Sequence, residues 1–255
     1  MCIYMMSQKI IICGFPHCGT SILKSIIGHI EDVEEIYPET NIINKPTDKK
    51  FILCKFPFTE DSFFSKKYED YIKIFIIRNP LFVFSSLNKR FQYEIPNCHS
   101  IDVYINTLKK FINYKNNSEK NVYTIRYEDI FENNFQELKI ILDDIGVKYT
   151  NNIFDNSKYI NVHVPNLQIP TEMPNNVKHE EYRTWQINQR FELGNDVSKL
   201  GLTEIQKQII INDPHILEIY TDIGSVFLNI KDEEPPNLLG KIYNEKRAFG
   251  SHLFE

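Results

Sequence analysis

Along this chain, short unbroken apolar runs alternate with longer stretches in which apolar residues recur every three or four positions. Ile10, Ile11, Ile12 and Cys13 form one such run, closed by Gly14. A short apolar run bounded by a turn residue is the pattern of a strand buried on both faces of a parallel sheet. Phe51 to Cys54, Ile72 to Ile77 and Val122 to Ile125 read the same way. Between them, Ile22, Leu23, Ile26, Ile27 and Ile30 fall on one face of a helix, leaving Lys24, Ser25 and His29 to the more polar side. Asn79-Pro80 marks another helix start, with Asn as cap and Pro at the first helical position, and Leu81, Phe82, Phe84, Ser85 and Leu87 continue it. Residues 101–114 repeat the helical spacing, and Phe135 to Ile145 does so up to Gly146. The order strand, helix, strand, strand, helix, helix, strand, helix predicts an α/β fold with a mainly parallel central β-sheet flanked by helices. Residues 148–182, rich in Asn, Pro and His without period, read as long ordered loops over a site, and 203–223 as a last helix pair.

Composition narrows the choice. At 255 residues with 42% hydrophobic and 25% charged residues, and no linker-like stretch in the middle, the chain reads as one domain over residues 1–230 followed by a partly extended tail, 231–255. A net charge of −5 without a long Lys/Arg stripe argues against non-specific nucleic-acid binding. No apolar run approaches the roughly 20 residues of a membrane span. Met1 to Cys13 is broken by Ser7, Gln8 and Lys9 and reads as a first strand, not a secretory leader. Five scattered cysteines fit reduced thiols in a cytoplasmic setting, with Cys13, Cys18 and Cys54 as small buried hydrophobes. Neither histidines nor cysteines show metal-ligand spacing, so no metal is expected.

The first strand runs into Gly14-Phe15-Pro16-His17-Cys18-Gly19-Thr20-Ser21 and then directly into the first helix. Strand, glycine turn and helix N-terminus together make an anion site, because free backbone N–H groups and the positive end of the helix dipole converge there. The spacing from Gly14 to Gly19 fits a nucleotide-binding loop, yet Thr20 stands where an ATP-binding loop needs Lys. The strand at 72–77 ends in Arg78, not in an acidic residue able to hold Mg²⁺. The phosphate cradle is present; the parts that neutralise a triphosphate and its metal are not.

Four segments together resemble the sulfotransferases that use 3′-phosphoadenosine 5′-phosphosulfate (PAPS). Pro16-His17-Cys18-Gly19-Thr20-Ser21 resembles the loop that holds the 5′-phosphosulfate, and Arg78-Asn79-Pro80 with Ser86 resembles the segment that holds the 3′-phosphate. Lys55-Phe56-Pro57-Phe58-Thr59 closes a strand as in the family, and Glu39-Thr40 follows the first helix. These last two are most similar to the branch that sulfates protein tyrosines. Tyr127-Glu128-Asp129, after the fourth apolar run, also looks like a family signature. The resemblance covers about residues 9–146. It implies a P-loop-kinase-like sheet and transfer of a sulfuryl group from PAPS, as co-substrate, to an acceptor hydroxyl on a sugar, lipid, phenol or peptide tyrosine. Glu39 would then be the general base, and Lys55 would meet charge developing on the leaving nucleotide. Gly19, Thr20 and Ser21 would donate to the 5′ end, while Arg78 and Ser86 would clamp the 3′-phosphate. His17 departs from the family's usual Lys or Arg. Three outcomes stay open: an imidazolium only when donor is bound, a catalytic acid/base role, or weakened donor binding. The expectation is the first, with affinity falling as pH rises from about 6 to about 8, since histidine's ordinary pKa is about 6.5. Tyr182, Arg183 and Trp185 would belong to a segment closing over the adenosine. Two other readings stay open: a P-loop small-molecule kinase, and an inert nucleotide-binding module of the same fold.

Overall fold

The central strand of the sheet is buried along its last five residues. β1 (Gln8–Gly14) lies between β3 (Phe51–Lys55) and β4 (Tyr71–Ile77), with β2 (Val33–Glu35) and β5 (Val122–Arg126) at the two edges, in the order β2-β3-β1-β4-β5 and parallel throughout. This computed structural model describes residues 7–36, 43, 45–155, 193, 196–197 and 200–223. The helices are α1 (Thr20–Gly28), α2 (Pro80–Phe91), α3 (Ile101–Asn117), α4 (Tyr127–Phe131), α5 (Gln136–Ile145), α6 (Glu204–Asn212) and α7 (Pro214–Ile219).

Side chains on a strand alternate between faces, so a run buried at every position needs a layer on each side. Ile10 and Ile12 of β1 join a core with α1 and α5, whereas Cys13 and Phe15 join one with α2, α3, α6 and α7. Among the described residues no helix is long and apolar enough to cross a membrane.

Most of the expected elements are present, with ends shifted by a few residues. Asn79 does cap α2, its side chain accepting from the Leu81 N–H at 3.0 Å, with Pro80 beginning the helix. Cys13, Cys18 and Cys54 are buried free thiols. Two elements escaped the pattern. β2 reads Val-Glu-Glu, an edge strand too short and polar to show a run, and α4 is a single turn and a half. Lys24 and Ser25, expected on a polar face, are instead buried. The Lys24 ammonium donates to the Ile36 carbonyl at 2.6 Å and pairs with Glu35 at 3.3 Å, which ties α1 to the end of β2. Burial pushes the Lys24 pKa down to about 8 despite Glu35. The expected loops of 148–182 are described only to residue 155, with a 3-10 turn at Asn151–Phe154. The tail lies outside the described residues.

One buried acid gives the fold a pH signature. Glu60, just past β3, is buried, and its Oε2 has no hydrogen-bond partner among the described residues. Burial raises its pKa above the ordinary carboxylate range, its own backbone N–H and Lys110 opposing and Asp61 adding. The folded state therefore holds this proton more tightly than the unfolded chain does. Stability from this group is complete below the unfolded pKa and is lost as pH rises through the folded one. Glu60→Gln removes that loss. Thermal melts between pH 4.5 and 8 should show the variant gaining on wild type as pH rises; a constant gap would show that Glu60 does not titrate there.

Candidate functional site

The strand order places β1 at a point where the sheet grows first to one side and then to the other, and ligands of open α/β sheets gather beyond the carboxyl ends of strands at such a point. The chain leaves β1 there through Gly14, at φ 148°, where a Cβ would stand 2.1 Å from the Ile76 carbonyl oxygen of the neighbouring strand. No side chain fits. The turn then runs through His17 at φ 67° and closes with the Cys18 N–H donating to the Phe15 carbonyl at 3.2 Å. Burial pushes the Cys18 thiol far up, leaving it a neutral filler under the loop. Gly19 follows at φ 92°, and a Cβ there would fall 2.2 Å from the ring of Tyr127. α1 begins at Thr20 with no side-chain cap and no acidic residue in its first turn. Its leading N–H groups and dipole are thus suited to an anion.

Three further strand ends bring their side chains to this turn. Lys55, buried at the end of β3, donates from Nζ to the Ser21 hydroxyl. Arg78, one residue past β4, lays its guanidinium 4.2 Å from the centroid of the Tyr127 ring and 5.6 Å from that of Phe82. The backbone around Arg78 is held on both sides: the Tyr104 hydroxyl donates to its carbonyl at 2.7 Å, and the next N–H, of Asn79, donates to Glu128 Oε1 at 2.9 Å. Burial raises the Glu128 pKa, against the pull of Asn79, Arg78 and Arg126. Tyr127, the residue after β5 and the first of α4, is the shared wall. Its ring touches Gly19 on the loop side and carries the Arg78 guanidinium.

Across the site, His17 Nδ1 is 2.8 Å from Ser86 Oγ on α2, and Arg90 Nη1, one helical turn further along α2, is 3.3 Å from His17 Nε2. Arg90 was not among the residues expected from sequence. The available signal was its spacing: four residues after Ser86 on a helix puts it on the same face. Burial, then Arg90, His99, Arg78 and Lys55, push the His17 pKa down to about 3. His17, Lys55, Arg78, Arg90 and His99 thus crowd cationic or titratable groups of one sign around one turn, which an arriving anion would relieve.

Of the residues expected from sequence, Pro16 to Ser21, Lys55, Arg78, Ser86 and Tyr127 converge on this edge. Glu39 and Thr40 lie outside the described residues, as do Tyr182, Arg183 and Trp185. Among the described residues no group of three or more His, Cys, Asp or Glu is placed to hold a metal ion.

No protein-family model matches the chain, and no curated protein sequence matches it. Among solved structures it is similar to mouse sulfotransferase SULT7A1 complexed with PAP, at 15% identity over 87% of each chain with a TM-score of 0.53. The likeness establishes the fold. Retinol dehydratase in complex with androsterone and the inactive cofactor PAP also aligns, over 90% of this chain and 83% of that one at 14% identity, but its TM-score of 0.40 is too low to carry an argument.

Proposed function

We propose that this protein transfers a sulfuryl group from PAPS to an acceptor hydroxyl and releases adenosine 3′,5′-bisphosphate (PAP). The observation that carries the reading is the pairing of two cationic turns through shared side chains. The uncapped start of α1 with Lys55 forms one, Arg78 with Ser86 and Arg90 forms the other, and Tyr127 and His17 join them. That is the donor set a nucleotide with phosphates at both its 3′ and 5′ positions requires. The quoted segments and the fold likeness point the same way.

In this reading Arg78 offers a planar fork to the 3′-phosphate, held flat by stacking on Tyr127. The N–H groups of Thr20 and Ser21 and their hydroxyls meet the 5′-phosphosulfate. A bond forms between acceptor oxygen and sulfur while the bond from sulfur to the bridging 5′-phosphate oxygen breaks. The acceptor proton passes to Glu39, and the electron pair leaves with the bisphosphate, where Lys55 meets the growing charge. The sulfuryl group carries less charge than a terminal phosphate, so positioned cations and N–H groups suffice in this reading. The acceptor is a hydroxyl on a sugar, lipid, phenol or peptide tyrosine.

Thermal denaturation tests the donor site. PAP at 100 times its dissociation constant stabilises by about 2.7 kcal/mol, a rise of roughly 5–10 °C in Tm for a chain of this size. ATP with Mg²⁺ should give no comparable shift; the reverse pattern would indicate a kinase. Transfer from labelled PAPS to a panel of hydroxyl acceptors, abolished by Glu39→Gln with PAP binding retained, separates an enzyme from an inert binding module.

A further inference from the structure

We propose that His17 acts as a positioning residue and not as a cation, a neutral imidazole that turns the Ser86 hydroxyl proton toward the nucleotide and ties the 3′-phosphate clamp to the 5′ loop. The inference rests on the donor reading above and concerns how that site is set.

A guanidinium has only donors to offer. Arg90 Nη1, 3.3 Å from His17 Nε2, therefore makes Nε2 the acceptor and leaves the ring proton on Nδ1. That proton points at Ser86 Oγ, 2.8 Å away, so the hydroxyl accepts from His17 and keeps its own proton to give. Every donor in the chain Arg90, His17, Ser86 then points the same way. A phosphate accepts only, and the far end of the chain offers it an O–H. With the opposite tautomer, Ser86 would spend its single proton on His17 and present lone pairs to the anion.

A protonated His17 would turn an N–H toward Arg90 and set two donors face to face. The groups around the ring oppose it as well: Arg90 from α2, His99 from the turn before α3, Arg78 after β4 and Lys55 at the end of β3. A bound anion softens that field but does not vacate Nε2. This reverses the expectation that His17 becomes imidazolium on donor binding. It also explains how the chain manages with histidine where the family has Lys or Arg, since Arg90 supplies the charge from α2.

Nucleotides with and without a 3′-phosphate read out the role. His17→Ala should lower the preference for PAP over adenosine 5′-monophosphate by about tenfold, the loss expected when the charge-assisted hydrogen bond from Ser86 to the 3′-phosphate is no longer set, with the monophosphate losing less affinity than PAP. His17→Asn should restore most of the preference. Asn tolerates the left-handed backbone at this position, and its amide N–H replaces Nδ1–H. Equal loss on both nucleotides would overturn the proposal, because a loop cation serves the 5′ end of either. Nitrogen-15 spectra of the histidine rings, assigned through His17→Asn, give a second readout. A neutral Nδ1–H ring between pH 6 and 8, free and PAP-loaded, supports the inference; an imidazolium or an Nε2–H ring in the complex refutes it. If wild type binds neither nucleotide, the donor reading falls, and the unliganded spectrum decides the tautomer alone.

Discussion

Arg78→Ala is expected to weaken PAP binding by about 10²- to 10³-fold, measured by isothermal titration. A bidentate, charge-assisted pair to a phosphate contributes on the order of 3–4 kcal/mol, and each 1.4 kcal/mol is about tenfold. The arginine is already set for that task before any ligand arrives. Its carbonyl is held by Tyr104, the following N–H by Glu128, and its plane by Tyr127. Little ordering cost is left to bear on binding. Arg78→Lys keeps the charge but loses the fork and the stack, so it should recover only part of the affinity. Folding should suffer little. Stacking on an aromatic face is worth about 0.5–2 kcal/mol, and removing one cation relieves repulsion among Lys55, Arg90 and His99. An unchanged affinity for PAP in Arg78→Ala would place the 3′-phosphate elsewhere and remove half of the proposed site.

Strands were most legible where burial is two-sided; β5 was also found from its apolar run, yet it is a half-buried edge strand and not one covered on both faces. β1 and β4 read as apolar runs because each is covered on both faces, and β3 likewise. β2 pairs with only one neighbour, and its Glu35 points into the ion pair with Lys24; a strand that carries such a charge leaves no hydrophobic trace. Lys24 was misplaced for the same reason, since spacing assigns a lysine to the solvent face unless its partner is known. In the site, the loop and Arg78 were legible because glycine turns and helix starts are local. Arg90 was not, because its role depends on how far α2 runs past Ser86 and on His17 arriving from another strand. The network of Arg78, Tyr127 and Gly19 is likewise a tertiary fact, visible in sequence only as three unrelated signals.

Lys55 is where function and stability should pull apart most clearly. Its ammonium is buried at the end of β3, opposite Ile12 of β1, and donates to Ser21 at the start of α1. Desolvating a charge is costly unless well compensated, and its field is felt by Lys24 and by His17. Lys55→Met keeps the length and apolar stem of the side chain and drops the charge, so Tm should hold or rise. Turnover should fall by about 10²- to 10³-fold, the range found when a preorganised donor to a developing negative charge is removed. The loss should appear in kcat more than in the KM for PAPS, because the charge on the bridging oxygen grows only as the sulfur leaves. Ser21→Ala should cost less, and the double variant little more than Lys55→Met alone, since the two act as one donor pair. A variant that melts well below wild type yet turns over at the same rate would make Lys55 a structural strand end and move the catalytic charge elsewhere.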